Sequence, residues 1–359
     1  MRTTPHGPSP TTFRRGASSN SDPVLITAPG SLLSSSSEQV RLQVRAAAGA
    51  SAGAQGVIEY SAEATGGPDG TLVAPEDSAK TVVTVGSAPD LGVSTPRDVK
   101  GVAPGTGLTV PFSVTNTGDE TAHGFQVRMW ATYGLDIVTR YPQCTYTEPA
   151  DDAEYTPMTI VTCSFDTDVA PGATVKLPEP LRITVTGHAL YERFDYEVRP
   201  GGGATDLDDS DNYHAWQIGA ANTADLAVHG TEVSGAAGDT VTAAFGFVDR
   251  GPAWVANAGS GDAVAVIDFY LPEGTTAASV PDACFDARRP GEAVGHYACA
   301  LPMWVKPDVP VSFPFQLRVD RVVPDATGRV VARPAWGTTF PFDPNSENNS
   351  AQVVLNPSA

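Results

Sequence analysis

The sequence lacks any long hydrophobic run. No apolar stretch approaches the roughly 18 residues that a membrane-spanning helix requires, and helical heptads are also absent. Instead, 35 glycines and 31 prolines are distributed over the 359 residues. Because glycine and proline favour turns, this composition excludes long helices and predicts short elements joined by many turns.

Basic residues are scarce as well. The chain carries 22 Lys and Arg residues against 41 Asp and Glu residues, which gives a formal net charge of -19. A surface of this sign is repelled by phosphate backbones and by anionic lipid headgroups. We therefore expect no nucleic-acid partner and no membrane span, and the charge disfavours binding to anionic membrane surfaces.

Catalytic motifs are missing too. The sequence contains neither the G-x-S-x-G elbow of serine hydrolases nor the H-E-x-x-H zinc motif, and its six histidines have no partner spacing. Its glycines lie between predicted strands and not ahead of helices, which argues against a phosphate-binding loop. We expect no catalytic residue, no cofactor, no metal ligand and no enzyme activity. An enzyme would need a cleft with convergent titratable groups.

The four cysteines form two closely spaced pairs, Cys144 with Cys163 and Cys284 with Cys299. Neither pair has the C-x₂₋₄-C spacing that zinc sites use. The spacing predicts two disulfides, each stabilising by about 3 kcal/mol in the chain-entropy model. Disulfides indicate an oxidising compartment, so we expect an extracellular or cell-wall-associated protein.

The first 30 residues do not contain the apolar segment of an export signal, although Arg2, Arg14 and Arg15 are basic. Two explanations remain open. Either the chain is a fragment whose true start lies upstream, or its cysteines are reduced in a cytosol. We favour the fragment.

The cysteine pairs occupy matching places in two copies of one repeat. Cys299 follows Cys163 by 136 positions, and other landmarks keep nearly the same offset. These landmarks are Asp90 and Asp225, Leu181 and Leu317, and Ser210 and Ser346. A repeat of this length is a whole domain. We expect complete units at residues 89–221 and 222–359, joined by the short segment Ile218–Thr223.

A partial third copy precedes them at residues 38–88. Residues 38–44, 56–60 and 75–85 resemble residues 180–185, 194–198 and 208–218, the last strands of the repeat. We expect this half-unit to be poorly packed or to lean on the next domain. The alternative is a small independent β unit at residues 23–88. We expect residues 1–37 to form a disordered segment.

Apolar and polar residues alternate along the predicted strands Leu108–Val114 and Phe125–Trp130. Their counterparts in the second copy are Val241–Val248 and Ala265–Leu271. This period of two, with turn residues between the runs, predicts about seven antiparallel strands in each unit. The predicted fold class is all-β, with two sheets packed as a sandwich.

The order of Asn116-Thr117-Gly118, the cysteine pair and Ala170-Pro171-Gly172 along residues 88–356 resembles the tandem immunoglobulin-like (Ig-like) repeats of bacterial cell-surface proteins. These are the cell-adhesion-related and conserved-repeat domains of high-GC Gram-positive bacteria. The resemblance implies tandem antiparallel Ig-like sandwiches at a cell surface, and no catalytic residues. The second copy departs from it, because Asp249-Arg250-Gly251 replaces Asn-Thr-Gly and Pro310 stands near the place of Pro171-Gly172.

The acidic segment Asp206–Asn212 resembles the alternating oxygen ligands of a calcium-binding EF-hand loop. Two positions disagree with that motif. Asp211 stands where the loop needs glycine, and Gln217 stands where it needs a bidentate glutamate. We favour a turn whose Asp and Asn side chains bond to their own backbone. A calcium site is the alternative.

Five tryptophans are candidates for a sugar-stacking platform: Trp130, Trp216, Trp254, Trp304 and Trp336. We expect Trp130 and Trp216 to pack in cores. Trp254 and Trp304 lie in less regular stretches and are better candidates for an exposed contact, although we favour a half-buried loop anchor for each. The segment from Trp254 to Asp262 is an insertion in the second copy, and a longer loop at a sandwich end is a usual place for a binding function.

These features predict a non-enzymatic, monomeric structural or adhesion protein that acts as a rigid, disulfide-stapled spacer. The alternative is a module that recognises a glycan or a protein through its sandwich-end loops. Possible partners are a cell wall, a glycan or a surface protein. A glycan binder should align two or more exposed aromatic side chains, whereas a spacer should not.

Overall fold

The computed structural model describes residues 50–59, 80–149, 155–257, 261–289, 291, 295–335 and 337–358. Apart from Ala50, these residues belong to one compact unit that begins at Ser51. Our expectations for residues 1–37, for the strand at residues 38–44 and for Trp336 fall outside the described residues. Within these ranges, no helix has both the length and the apolar character to cross a membrane.

Nearly all regular structure is β. Two strands come first: β1 (Gln55–Glu59) and β2 (Lys80–Thr84). The first sandwich contains β3 (Leu91–Val93), β4 (Val99–Val102), β5 (Gly107–Thr109), β6 (Val114–Asn116), β7 (Phe125–Thr132), β8 (Leu135–Ile137), β9 (Cys144–Thr147), β10 (Met158–Phe165), β11 (Thr174–Val175), β12 (Arg182–Val185), β13 (Tyr191–Pro200) and β14 (Tyr213–Ala220). The second contains β15 (Leu226–His229), β16 (Thr231–Val233), β17 (Thr240–Asp249), β18 (Val255–Ala256), β19 (Ala265–Tyr270), β20 (Thr275–Ser279), β21 (Cys284–Asp286), β22 (His296–Ala300), β23 (Trp304–Val305), β24 (Val311–Val319), β25 (Ala326–Pro334) and β26 (Ser350–Leu355). Short 3₁₀ helices, Asp209–Asp211 and Ser346–Asn349, precede β14 and β26.

The two sandwiches share one topology. The second sandwich has one sheet in the order β15-β17-β24-β20 and another in the order β16-β26-β25-β19-β22-β21. The first sandwich repeats the larger sheet as β4-β14-β13-β7-β10-β9. In each larger sheet the outermost pair, β4 with β14 or β16 with β26, is parallel, and the other pairs are antiparallel. The four-stranded sheet has the A-B-E-D order of immunoglobulin domains, and β26-β25-β19 has their G-F-C order. The protein is therefore all-β, with tandem Ig-like sandwiches, as predicted.

The smaller sheet of the first sandwich is split in two. The predicted single strand Leu108–Val114 is wrong, because β5 ends at Thr109 and β6 begins at Val114. Pro111 has no N–H for the ladder, and the N–H of Phe112 bonds to the carbonyl of Val110 at 2.8 Å. Val110 and Phe112 nevertheless point into the core, so the alternation of burial survives the break.

Each unit has more strands than the seven we expected. Twelve strands are described in each sandwich. Part of the excess comes from the divided smaller sheet of the first sandwich and from the β18–β23 pair of the second. The rest lies in the larger sheets. The β9–β10 and β21–β22 hairpins extend the larger sheets at one edge, and β4 and β16 add a parallel strand at the other.

Strands β1 and β2 pair with each other in an antiparallel register. Gly56 lies opposite Val83, and the residues that resemble them, Phe194 and Trp216, lie opposite each other in β13 and β14. The pair therefore has the register of the last two strands of a sandwich. Its central valines, Val57 and Val82, are 58% and 59% exposed.

Each disulfide staples an edge strand to its neighbour. Cys144 of β9 is joined to Cys163 of β10, directly opposite in the register. Cys284 of β21 is joined to Cys299 of β22 in the same way. An edge strand pairs on one side only, so a covalent link compensates for its missing neighbour.

Pro307-Asp308, and not Pro310, takes the place of Pro171-Gly172. The N–H of Gly172 donates to the carbonyl of Asn116, and the N–H of Asp308 donates to the carbonyl of Asp249, each at 2.8 Å. Gly172 has φ +75 and Asp308 has φ +61. Asp308 therefore adopts a left-handed backbone conformation that glycine adopts without strain.

The two disulfides should stabilise their sandwiches separately. Replacing Cys144 and Cys163 together by serine should lower the free energy of unfolding by about 2–3 kcal/mol, because the 19-residue loop is no longer closed in the unfolded chain. Peptide-resolved hydrogen exchange should show lost protection in β9 and β10. The Cys284–Cys299 pair is the internal control, and equal loss of protection in β21 and β22 would contradict the prediction.

Candidate functional site at the joint between the sandwiches

The turn between β12 and β13 projects an apolar side chain out of the first sandwich. Leu190 belongs to the hydrophobic core cluster of the second sandwich, which also contains Leu226 and Phe247. Its side chain is 2% exposed. Burial of a leucine contributes about 1.5–3 kcal/mol. The second core is therefore completed by a residue of the first sandwich.

A buried carboxylate organises this turn. Glu192 is 1% exposed. It accepts hydrogen bonds from the N–H of Leu190 at 2.9 Å, from the N–H of Gly134 at 3.0 Å and from the hydroxyl of Thr132. Burial raises the pKa of Glu192, and the three donors oppose that shift. Glu192 thus ties the turn that carries Leu190 to the β7–β8 turn beside it.

The β7–β8 turn carries Tyr133, which contacts the second sandwich. Its ring stacks on Trp254 with centroids 4.9 Å apart, and its hydroxyl donates to the carbonyl of Trp254 at 2.9 Å. The N–H of Trp254 donates in turn to the carbonyl of His188 at 3.0 Å. Burial, with Glu192 and Asp249 adding to it, holds the pKa of Tyr133 well above its usual value. The phenol therefore stays protonated and remains a donor at neutral pH.

The stack continues into the second sandwich. Trp304 lies parallel to Trp254 at 5.8 Å, and the ammonium of Lys306 lies 4.8 Å and 5.1 Å from the two ring centroids. A cation over an aromatic face contributes about 0.5–1 kcal/mol at an exposed site. Both tryptophans are half-buried, which confirms the loop-anchor prediction, and Trp254 is the one that contacts the first sandwich.

The covalent connection is shorter than the predicted segment Ile218–Thr223. Strand β14 continues through Ala220, and β15 begins at Leu226. Within the connection, the side-chain amide of Asn222 donates to the carbonyls of Gly187 and Ala189, each at 2.9 Å. The linker is therefore bonded to the same turn that carries Leu190.

The remaining tryptophans divide between core and surface. Trp216 is 4% exposed, and its indole N–H donates to the carbonyl of Arg97 at 3.0 Å, which confirms the core position that we predicted. For Trp130 the core prediction is wrong. On β7 the inward positions are occupied by Phe125, Val127, Met129 and Ala131, so Trp130 lies on the outer face. There the guanidinium of Arg128 lies 4.9 Å from its ring centroid.

The acidic turn is used for backbone bonding. Asp206 accepts from the N–H of Leu91 at 3.0 Å and from the N–H of Asp208 at 3.2 Å. Its counterpart Asp343 accepts from the N–H of Leu226 at 3.2 Å. Each carboxylate therefore ties the last loop of its sandwich to the first strand. Among the residues that the structure describes, no group of three or more His, Cys, Asp or Glu side chains is placed to hold a metal ion.

A cleft of about 810 Å³ opens beside the joint. Its first wall comes from β4, β13 and β14, and its second wall comes from β18 and the loop before β26. Tyr191, which is 51% exposed, lies on the first wall and makes an edge-on contact with Phe342 at 6.1 Å. Lys100 and Gln217 add exposed polar groups to the same wall.

Three residues of the joint were missed by sequence reasoning: Tyr133, Leu190 and Glu192. Leu190 gave a weak signal, because it is an apolar residue close to Gly187, and glycine is typical of turns. Nothing in the sequence signals the burial of Glu192, since a glutamate in a strand is most often exposed.

Replacing Glu192 by alanine should lower the free energy of unfolding by about 3 kcal/mol, because buried N–H groups of Leu190 and Gly134 lose their acceptor. Glu192→Gln keeps one acceptor oxygen and should lose less. Urea unfolding measures both variants. The exposed Glu232, replaced by alanine, is the control, and equal losses for Glu192→Ala and Glu232→Ala would contradict the assigned role.

No protein-family model matches this sequence, and no curated protein matches it either. Solved structures do match. A cohesin of ScaC from Acetivibrio cellulolyticus is 15% identical, over 36% of this chain and 98% of that chain, with a TM-score of 0.23. A tandem of titin Ig domains is 9% identical, over 76% of this chain and 98% of that chain, with a TM-score of 0.26. The polymeric Ig receptor ectodomain of a teleost fish is 11% identical, over 74% of this chain and 99% of that chain, with a TM-score of 0.17. At these TM-scores the likeness carries no argument, so the fold rests on the strand order.

Proposed function

We propose that this chain is a non-enzymatic spacer of a cell-surface protein, in which two Ig-like sandwiches form one stiff rod. The observation that carries the proposal is the burial of Leu190 in the core of the neighbouring sandwich. Sandwiches that only followed one another on a linker would each complete their own core.

The contacts between the two sandwiches oppose bending, as a spacer requires. Domains joined by a small polar interface move relative to each other by default. Here the joint combines a buried leucine, the Tyr133–Trp254 stack and hydrogen bonds from Trp254 and Asn222 to the turn of the first sandwich. Bending at the joint would break these contacts together, which opposes hinge motion.

The setting of the proposal is extracellular or cell-wall-associated. The cross-strand disulfide at one edge of each larger sheet is typical of an oxidising compartment. They also protect edge strands against fraying and unwanted pairing. The bacterial surface origin rests on the resemblance of the repeat motifs, and we propose a monomer.

The proposal includes a division into domains at residues 89–221 and 222–359, after a partial unit at 38–88. Its support is the strand pairing, since every described pair lies within one of these ranges. The register of β1 with β2, which repeats that of β13 with β14, supports the partial unit.

Residual dipolar couplings test stiffness directly. We expect one alignment tensor to fit both sandwiches of the full chain. Leu190→Ala should remove about 2–4 kcal/mol of packing and give each sandwich its own tensor. The control is Val138→Ala, at a site that is 56% exposed. Two different tensors in the unmodified protein would overturn the spacer proposal.

Recognition of a glycan is the second candidate, and the cleft beside the joint is the observation that favours it. Clefts of roughly 300–1,000 Å³ at domain interfaces are common ligand sites. Tyr191 offers a half-exposed aromatic face, and Lys100 and Gln217 offer hydrogen-bonding groups on the same wall.

A pull-down against isolated cell walls and insoluble polysaccharides, with and without calcium, tests this candidate. If the cleft binds a glycan, Tyr191→Ala should weaken binding about tenfold, which corresponds to the loss of one stacking contact of about 1.4 kcal/mol. The matched control is Phe285→Ala, because Phe285 is 59% exposed and lies outside the cleft. Failure to bind any matrix would remove this candidate.

A further inference from the structure

Asp249 is a buried carboxyl group at the end of β17. Its exposed fraction is 0%. Oδ1 accepts from the N–H of Gly251 at 2.8 Å, and the side chain also accepts from the backbone N–H of Asp225. Oδ2 is buried and has no hydrogen-bond partner among the described residues. An ionised carboxylate with an unpaired buried oxygen is unfavourable.

The first sandwich has Asn116 at the same place. Its Oδ1 accepts from the N–H groups of Asp90 and Gly118, at 3.1 Å and 3.0 Å. Its Nδ2 donates to the carbonyls of Glu120 and Val169, at 2.7 Å and 2.8 Å. Asn116 therefore uses one end as an acceptor and the other as a donor.

The surroundings of the two side chains correspond. In the first sandwich Ala122 pairs with Val169, six positions after Asn116. In the second, Val255 pairs with Val305, six positions after Asp249. By this correspondence, Oδ2 of Asp249 takes the place of Nδ2 of Asn116, the donor that faces backbone carbonyls. Only a protonated carboxyl group can donate there.

We propose that protonation of Asp249 stabilises the turn that carries Trp254 and that ionisation loosens it, so that Asp249 acts as a proton-operated lock. When it is neutral, Oδ2–H donates to a backbone carbonyl, at the position to which Asn116 donates in the first sandwich. When it ionises, the proton leaves to solvent, the hydrogen bond is lost and Oδ2 faces the carbonyl oxygen. This lock rests on the proposed function, because Trp254 is part of the joint.

The turn connects the lock to the joint. Between Asp249 and Trp254 lie only four residues, and the N–H of Ala253 donates to the carbonyl of Thr223 in the linker at 3.1 Å. The next N–H, that of Trp254, donates to His188 of the first sandwich. Loosening of this turn therefore acts on both connections between the sandwiches.

The charges around Asp249 favour its neutral form. Burial is the main cause that raises the pKa of Asp249 to about 6, and the charges of Asp225, just before β15, and Asp343, before the 3₁₀ helix, add to it. Tyr133 of the first sandwich interacts with the same carboxyl group as a neutral phenol. The other charged groups near it are Arg250, which follows it, and Asp308, whose N–H bonds to its carbonyl.

The contribution of Asp249 to folding stability decreases as the pH rises. The pKa of Asp249 in the folded state, about 6, lies above the value of 3.8 for a free aspartate. The folded state therefore binds this proton more tightly than the unfolded state does. The resulting stability is fully present below pH 3.8 and is lost as the pH rises through 6.

The experiment compares the full chain with Asp249→Asn and, as the matched reciprocal variant, Asn116→Asp. Thermal and urea unfolding are followed from pH 4 to pH 8, with the hydrogen-exchange protection factor of the Trp254 amide as a second readout. At pH 4 we expect Asp249→Asn to match the parent protein. At pH 7.5 its unfolding constant should be lower, by about a hundredfold at most, and its Trp254 amide better protected.

Asn116→Asp should show the opposite behaviour in the first sandwich, with a loss of stability at pH 7.5 that acid restores. Glu192 also has a raised pKa, but it is present in every protein and cancels in the difference. Equal pH dependence of the parent and Asp249→Asn would overturn the proposal. If Trp254 is unprotected at every pH while the stability difference persists, Asp249 holds the proton but the spacer proposal fails, and with it the action on the joint.

Discussion

The structure depends on one close crossing in each sandwich. There the residues just before the first strand, β3 or β15, pass over the turn that follows β6 or β17. A Cβ on Gly118 would lie 2.3 Å from the carbonyl oxygen of Ala88, and one on Gly251 would lie 2.5 Å from the Cα of Ala224. Strand pairing ends here with one backbone hydrogen bond, from Thr117 to Asp90 or from Arg250 to Asp225, each at 2.7 Å. A buried side chain supplies the further hydrogen bonds of the crossing. Asn116 does so in one copy and Asp249 in the other. This crossing positions the two sheets of a sandwich relative to each other. Strand β6 or β17 lies in the smaller sheet, and the chain after it leads to the larger sheet.

The joint follows from the crossing in the second sandwich. Six positions after each buried side chain, the chain pairs across to Val169 or Val305, and only the second copy places an aromatic residue, Trp254, just before that pairing. Trp254 meets Tyr133, whose turn is held by Glu192 together with the turn of Leu190. One buried carboxyl group therefore positions each side of the joint.

Much of the fold was readable from the sequence, because period-two alternation, turn residues and equal offsets between copies are local signals. The same alternation places Trp130 on the outer face, although we expected it in the core. Pro111 could have indicated the interrupted strand, since proline cannot donate to a ladder. The joint was not predictable in this way. Whether Leu190 fills its own core or a neighbour's depends on how two sandwiches dock, and no periodicity records that. The burial of Glu192 depends on three converging donors, Leu190 in one turn and Thr132 and Gly134 at the other.

Two departures of the second copy from the first lie at one turn. Asp249 replaces Asn116, and Asp308 replaces Gly172 with a left-handed φ of +61. The two positions are in contact, since the N–H of Asp308 donates to the carbonyl of Asp249 at 2.8 Å. A non-glycine residue in this conformation costs about 1 kcal/mol, and an unpaired buried oxygen costs about 1–3 kcal/mol. The first copy shows that the same fold accepts the more stable choice at both positions. Proteins depart from locally stable choices mainly at functional or strained sites, and here both departures lie beneath the turn that joins the two sandwiches.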